Sequence, residues 1–211
     1  MSSAPISAAP LLTDSRFVLR SRFFRLFGGA YELYDASGAL CLYAEMKRFR
    51  LKEDIRIYAD AGMRDEILRI RTQSVFDFSG AYDVEDAQTD QRVGTLQRSG
   101  MRSTFMRDHW RMLDADGEPV AELQEDSMAK ALVRRLIDMA GALPLIEWLG
   151  YLLPQRYDLY RDEHKLAHYQ QHFNPLIYKL DIDFSSDADQ AVDRRLGIAM
   201  AVLLAAIEGR Q

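Results

Sequence analysis

A single cysteine, Cys41, stands in a chain of 211 residues. A lone thiol closes no internal disulfide, so nothing in the sequence requires an oxidising compartment. Cys41 lies in the run Leu40-Cys41-Leu42-Tyr43, far in sequence from any histidine, and reads as a strand residue rather than an activated nucleophile. Also missing is an apolar run of the roughly 20 residues that a membrane-spanning helix needs. The chain lacks a cationic excess: 27 Lys and Arg against 32 Asp and Glu leave a net charge of -5 and a pI near 5.4. A general nucleic-acid binder usually carries a basic stripe on a basic domain, so no nucleic-acid partner is expected. The first residues, MSSAPISAAPLL, have neither the basic start nor the continuous apolar stretch of a signal peptide. Residues 1–14 read as a flexible lead-in, and the cytoplasm is the expected compartment. There is no Gly-rich phosphate loop after a strand, no nucleophile elbow and no metalloprotease motif. The expectation is a protein that is not an enzyme and uses no cofactor.

What is present is ordinary in composition, with 48% hydrophobic and 28% charged residues, and long enough to bury a real core. One stretch departs from that average. Leu196 to Ile207 reads LGIAMAVLLAAI, without a single charge. As a helix it is too short to cross a bilayer, and a helix apolar on every side must be wrapped by protein. We expect a central helix over 187–208, capped by Ser185 or Ser186, with Asp187 and Asp189 at the positive end of its dipole.

Most of what precedes this helix alternates at the strand period. Leu40, Leu42, Ala44 and Met46 are apolar at every second position, and Ala121 and Leu123 alternate with Val120, Glu122 and Gln124. A loose repeat underlies the alternation. Tyr31-Glu32-Leu33-Tyr34-Asp35, Tyr58-Ala59-Asp60, Tyr82-Asp83-Val84-Glu85-Asp86, Trp110-Arg111-Met112-Leu113-Asp114 and Tyr157-Asp158-Leu159-Tyr160-Arg161-Asp162 each join an aromatic strand to an Asp- or Gly-bearing turn. That is hairpin chemistry, since Asp caps a turn through its own side chain and Gly takes a positive φ. Five hairpins and an opening strand near Phe17 give eleven or twelve strands. Propeller blades would need four strands per repeat, twice what each unit supplies. The segment 127–153 breaks the pattern with Ala131, Leu132, Leu136, Met139 and Ala140 at helical spacing. It is expected to be a helical insertion, either packed on one end of the barrel or offered to a membrane surface or partner. Arg134, Arg135, Asp138 and Glu147 make it a poor transmembrane span. The predicted fold is mainly β: a closed antiparallel barrel of about twelve strands around a buried C-terminal helix, forming one domain over 15–211.

These hairpin units, the stretches Lys47–Ile55 and Asp77–Val84, and the apolar terminal helix, taken in order, resemble the LURP-one-related family. That family lies within the wider group of phospholipid scramblases and tubby C-terminal domains, and the likeness, to a bacterial-type member, covers roughly Arg16 to Glu208. It implies a twelve-stranded barrel threaded by the C-terminal helix. In that group, tubby-like domains bind phosphoinositide headgroups and scramblases are linked to calcium and lipid movement. Tubby's lipid-binding residues match no positions here, so none is carried over. Scramblases of the group usually have a Cys-rich, palmitoylatable segment and a Pro-rich tail. Their lack here favours a binding protein over a scramblase-like lipid-acting one.

Four sets of residues are candidates for function. Lys47, Arg48, Arg50 and Lys52 form the densest basic cluster. In an extended segment Arg48, Arg50 and Lys52 share one face, suited to phosphates or anionic headgroups. The same face also reads as a solvated edge that discourages strand pairing. Trp148, Tyr151 and Leu152, in the insertion, suit a contact with membrane or a protein partner, because Trp and Tyr are amphipathic. Asp181, Asp183, Asp187, Asp189 and Asp193 lie where scramblases have a proposed calcium segment. Counting from Asp181, however, Ser186 and Val192 replace the Gly and Glu that a calcium loop wants, and helix capping explains the acids better. His164, His168 and His172 are spaced by four, as a zinc site might be, yet no acidic ligand has an obvious place beside them. The expected metal content is none, and the sequence does not set the oligomeric state.

Overall fold

The computed structural model describes residues 12–21, 28–47, 54–72, 80–99, 109–125, 154–172, 174 and 177–208. These form twelve strands and one helix. The strands are β1 (Arg16–Ser21), β2 (Gly28–Asp35), β3 (Leu40–Lys47), β4 (Asp54–Tyr58), β5 (Glu66–Thr72) and β6 (Ala81–Asp86), then β7 (Arg92–Ser99), β8 (His109–Leu113), β9 (Pro119–Glu125), β10 (Arg156–Arg161), β11 (His164–His172) and β12 (Lys179–Asp183). Each pairs antiparallel with its sequence neighbours, and β1 pairs with β12, from Arg16↔Asp183 to Arg20↔Lys179, to close the barrel. Closure leaves no unpaired sheet edge. The helical insertion expected at 127–153 lies outside the described residues.

The repeat has a structural meaning that alternation alone hides. Each of the five tight hairpins carries a β-bulge just before its turn, at Leu33/Tyr34, Ile57/Tyr58, Val84/Glu85, Met112/Leu113 and Leu159/Tyr160. The residues skipped by the pairing are Cys41, Ile67, Val93, Val120 and Leu166. All five are apolar, and four of them are buried. A bulge strengthens local twist, which helps a sheet curl shut. It also breaks the two-residue period. Leu40, expected on the same face as Leu42, is 39% exposed, whereas the adjacent Cys41 and Leu42 are both buried. Cys41 therefore fills a position that the other hairpins give to Ile, Val or Leu. Burial pushes its thiol up to about 11, against nucleophilic use near neutral pH.

The helix, α1 (Arg194–Glu208), lies inside the barrel, in contact with β1, β7 and β12. Residues Leu196 and Ile198 to Ala206 are all buried, as the lack of a polar face predicts. Two inner-wall tyrosines bond to it: the Tyr31 hydroxyl donates to the Ala205 carbonyl and the Tyr169 hydroxyl to that of Gly197, each at 3.2 Å. Ala205 belongs to the last turn, whose carbonyls have no intrahelical donor. Side chains are excluded at two glycines, one by the neighbouring strand β8 and one by the residue that follows β12. A Cβ on Gly94 of β7 would lie 2.3 Å from the Leu113 carbonyl oxygen, and one on Gly197 would lie 2.6 Å from Cζ of Phe184.

The helix starts later than expected. It begins at Arg194, and its cap is Asp193, whose carboxylate accepts from the Arg195 N–H at 2.9 Å, rather than Ser185 or Ser186. Residues 184–193 instead form turns over the mouth of the barrel. The reason lies in Asp187, which is buried and accepts from the Ala191 N–H at 2.7 Å and the Arg194 guanidinium at 3.0 Å. Its carboxylate folds the lead-in back on itself, so the dipole is met one turn later by Asp193.

Candidate functional site

Because every connection is a hairpin, the barrel has two unlike rims. At one, the strands are joined by the short turns 36–39, 59–65, 87–91, 114–118 and 162–163, and the helix lead-in 184–193 lies beside them. At the other, strand ends are bridged by 22–27, 48–53, 73–80, 100–108, 126–155 and 173–178. The helix is oriented between them. Its N-terminal end is fixed at the short-turn rim, where Arg195 pairs with Asp86 at 2.9 Å and Arg161 donates to the carbonyls of Val120 and Ala191. Its C-terminal end reaches Tyr31, toward the opposite rim.

The short turns are built by carboxylates. Asp35 accepts from the backbone N–H of Ser37 and Ala39, Asp114 from Asp116 and Glu118, and Asp86 from Gln88 and Thr89. Burial tends to raise the Asp86 pKa, but these N–H groups and Arg195 outweigh it and hold the carboxyl below its usual range.

The two sets of contact residues read from the sequence belong to connections of the other rim. Lys47 is the last residue of β3, with its backbone opposite Asp54 and Gly28. Arg48, Arg50 and Lys52 lie outside the described residues, as do Trp148, Tyr151 and Leu152. The basic segment bridges β3 to β4 and the aromatic one bridges β9 to β10, so the two connections leave the same end of the barrel but six strands apart around it, and topology does not bring the two segments together. On the adjoining outer wall the arginines are already matched. Arg56 lies 3.3 Å from Asp54 and 3.1 Å from Glu66, and Arg71 lies 3.2 Å from Glu85. Beside them Ala30, Tyr43 and Tyr58 form a small buried cluster apart from the main core.

The histidines do have acidic neighbours, contrary to expectation. His168 Nδ1 lies 2.6 Å from Asp158 Oδ1, an oxygen also 2.6 Å from Lys165 Nζ. His172 Nε2 lies 2.6 Å from Asp181 Oδ2, with Lys179 at 3.3 Å from the other oxygen. Sequence reasoning missed these partners because cross-strand register, not sequence spacing, brings them together: Asp158 opposes His168 in the ladder, and Asp181 lies diagonally from His172. The pairs occupy the outer wall, each imidazole on a separate carboxylate. Among the described residues no three His, Cys, Asp or Glu side chains converge as metal ligands. Asp181 and Asp183 are engaged by His172, Lys179 and Arg16, and Asp187 by Arg194.

Among the described residues, no helix is long and apolar enough to cross a membrane. No curated protein matches the chain. The LURP-one-related family profile does, over residues 40–205, from the first residue of β3 to within three residues of the end of α1. With the twelve-stranded barrel and its buried helix, that match shows that the chain belongs to the LURP-one-related family.

Proposed function

We propose that this is a non-enzymatic binding protein that recognises anionic lipid headgroups at a membrane surface through the basic segment Lys47, Arg48, Arg50 and Lys52. The observation that carries the reading is the concentration of four cations within six residues of an acidic chain, in a connection at one end of the barrel. Cations in such a segment are attracted to an anionic leaflet by about 1 kcal/mol each. The filled interior supports binding over catalysis. Barrels that enclose a ligand keep the interior open, and here a helix takes that space. The His168–Asp158 pair has the form of the base and orienting acid of a nucleophilic triad, but no Ser, Thr or Cys of the described residues hydrogen-bonds to that imidazole.

Sedimentation with vesicles of phosphatidylcholine, with and without phosphatidylserine, tests the proposal. Binding is expected to need the anionic lipid, to weaken with salt, and to fall by about 1 kcal/mol for each of Arg48, Arg50 and Lys52 replaced by glutamine. Absence of binding at low ionic strength, or binding untouched by the triple replacement, overturns it. The first outcome would point to a protein partner, the second to other residues as the lipid contact. Exchange of labelled lipid between leaflets in the same vesicles would instead favour a scramblase-like activity.

A further inference from the structure

Closing the barrel sets side by side residues from opposite ends of the chain. β1 and β12 form the seam, and on its outer face Arg20 stands opposite Lys179, which in turn stands opposite His172 of β11. Two residues before His172, on the same face, Gln170 stands opposite Arg156 of β10. Opposed side chains in a ladder lie about 4.5–5.5 Å apart at Cβ, and diagonal ones about 7–8 Å. Four basic side chains from four neighbouring strands therefore share one patch, and all four belong to the described residues.

The carboxylates around the patch do not match its cations. Asp181 lies 2.6 Å from His172 Nε2 and 3.3 Å from Lys179 Nζ, so it holds those two side chains together. Glu32 stands opposite Arg20 on β2 and accepts from the Tyr34 hydroxyl at 2.8 Å. The flanking charges are paired, Arg16 with Asp183 and Lys165 with Asp158. Arg20 and Arg156 are exposed, and among the described residues neither has a carboxylate partner; Arg20 lies over the Tyr34 ring, 5.1 Å from its centre. By contrast, Arg56, Arg69, Arg71 and Arg111 on the outer wall each lie within 3.3 Å of a carboxylate. The patch thus sets Arg20, Arg156, Lys179 and an imidazole against Asp181 and Glu32.

We infer that this patch binds a phosphate group, with Arg20 and Arg156 as its principal donors. A guanidinium offers parallel N–H groups that match two phosphate oxygens, and it stays charged at any working pH. Asp181 limits the freedom of Lys179 and His172 beforehand, so less is lost when they contact the anion. Carboxylates of a head-to-tail second copy are poorer ligands. At its acidic rim Asp35, Asp86 and Asp114 already accept backbone N–H groups, while Asp90, Asp187 and Asp193 are paired with Arg69, Arg194 and Arg195. The site uses no residue of the basic segment 47–52 and stands apart from the lipid reading above.

The test is a titration of the whole chain with glycerol 3-phosphate, followed by NMR of the arginine Nε–H groups, with chloride at equal ionic strength as the control. Saturable shifts are expected at Arg20 and Arg156 and not at Arg111. Arg20→Gln and Arg156→Gln should each weaken binding about tenfold. Both positions are exposed, and an unchanged melting temperature certifies that each variant is folded. Vesicles of phosphatidylcholine with phosphatidic acid, added to a chain in which Arg48, Arg50 and Lys52 are glutamine, distinguish the source of the phosphate. Co-sedimentation that Arg20→Gln abolishes assigns it to a lipid headgroup, and shifts with glycerol 3-phosphate alone assign it to a soluble ester. Shifts that chloride reproduces, or that survive replacement of both arginines, overturn the proposal, as does the absence of both shifts and co-sedimentation. A dimer at low salt that Arg20→Gln dissociates also overturns it, because the patch would then serve a second copy.

Discussion

The inner and outer walls of this barrel are held by different physics. Inside, contact is a matter of shape: α1 is buried along its apolar length, and two glycines admit neighbours within 2.3 and 2.6 Å of where a Cβ would stand. Outside, the wall is a ladder of ion pairs between half-exposed side chains, such as Arg111 and Glu122 at 54% and 41%. Burial and packing scale with area and fill, and are insensitive to salt. Exposed pairs are screened and contribute little each. The inner wall therefore determines whether the chain folds, while the outer wall keeps its charges matched. The helix covers the inner wall, and on the outer wall many charges already have partners.

The sharpest way to break this comparison is to put a charge inside. Leu203→Arg would place a guanidinium inside the barrel, where Leu203 has no exposed surface. Leu203→Ala alone should cost about 2–5 kcal/mol, against a total of about 5–15 kcal/mol for a domain. The arginine variant is expected to be insoluble or unfolded by circular dichroism. A soluble variant with an unchanged melting temperature would refute the buried-helix account. The mouth of the barrel, where the walls meet, should show an intermediate effect. Asp187→Ala strands Arg194, which is 13% exposed and stacks 4.4 Å above the Phe184 ring. Removing one partner of a buried pair costs about 3–5 kcal/mol, which urea unfolding would register as a lower midpoint at unchanged slope. A loss as small as that of a surface pair would mean that the lead-in turns, not the carboxylate, hold the helix in place.

The same contrast governs what the sequence discloses. The helix was legible because its whole surface is apolar, a pattern that needs no knowledge of neighbours. The hairpins were legible because Asp35, Asp86 and Asp114 act on the next few residues. The bulge at Cys41 was not, since the register shift is a property of two strands together. The Asp193 cap was hidden for a related reason: Ser185 and Ser186 are good caps locally, and only the burial of Asp187 moves the start to Arg194. The partners of His168 and His172 depend on cross-strand register, which no single segment discloses.

The smallest expected effect, on the outer wall, sharpens the comparison through pH. Asp158 is partly buried, which tends to raise its pKa, but hydrogen bonds from Lys165 and His168 outweigh this and hold it below the usual carboxylate range. A carboxyl with a lower pKa in the folded state contributes stability above its unfolded value, near 3.9. That contribution is lost as pH falls through the lower, folded value. Asp158→Asn removes the ionisable group while keeping the shape. The variant should be less stable than the wild type by about 1 kcal/mol or less at about pH 7, where an outer-wall pair is partly screened. The difference should shrink as pH is lowered toward about 2 and the wild-type carboxyl takes up its proton. Urea unfolding at both values gives the two differences directly. A gap that persists in acid would show that Asp158 acts by packing, and the outer wall would then share the physics of the inner one.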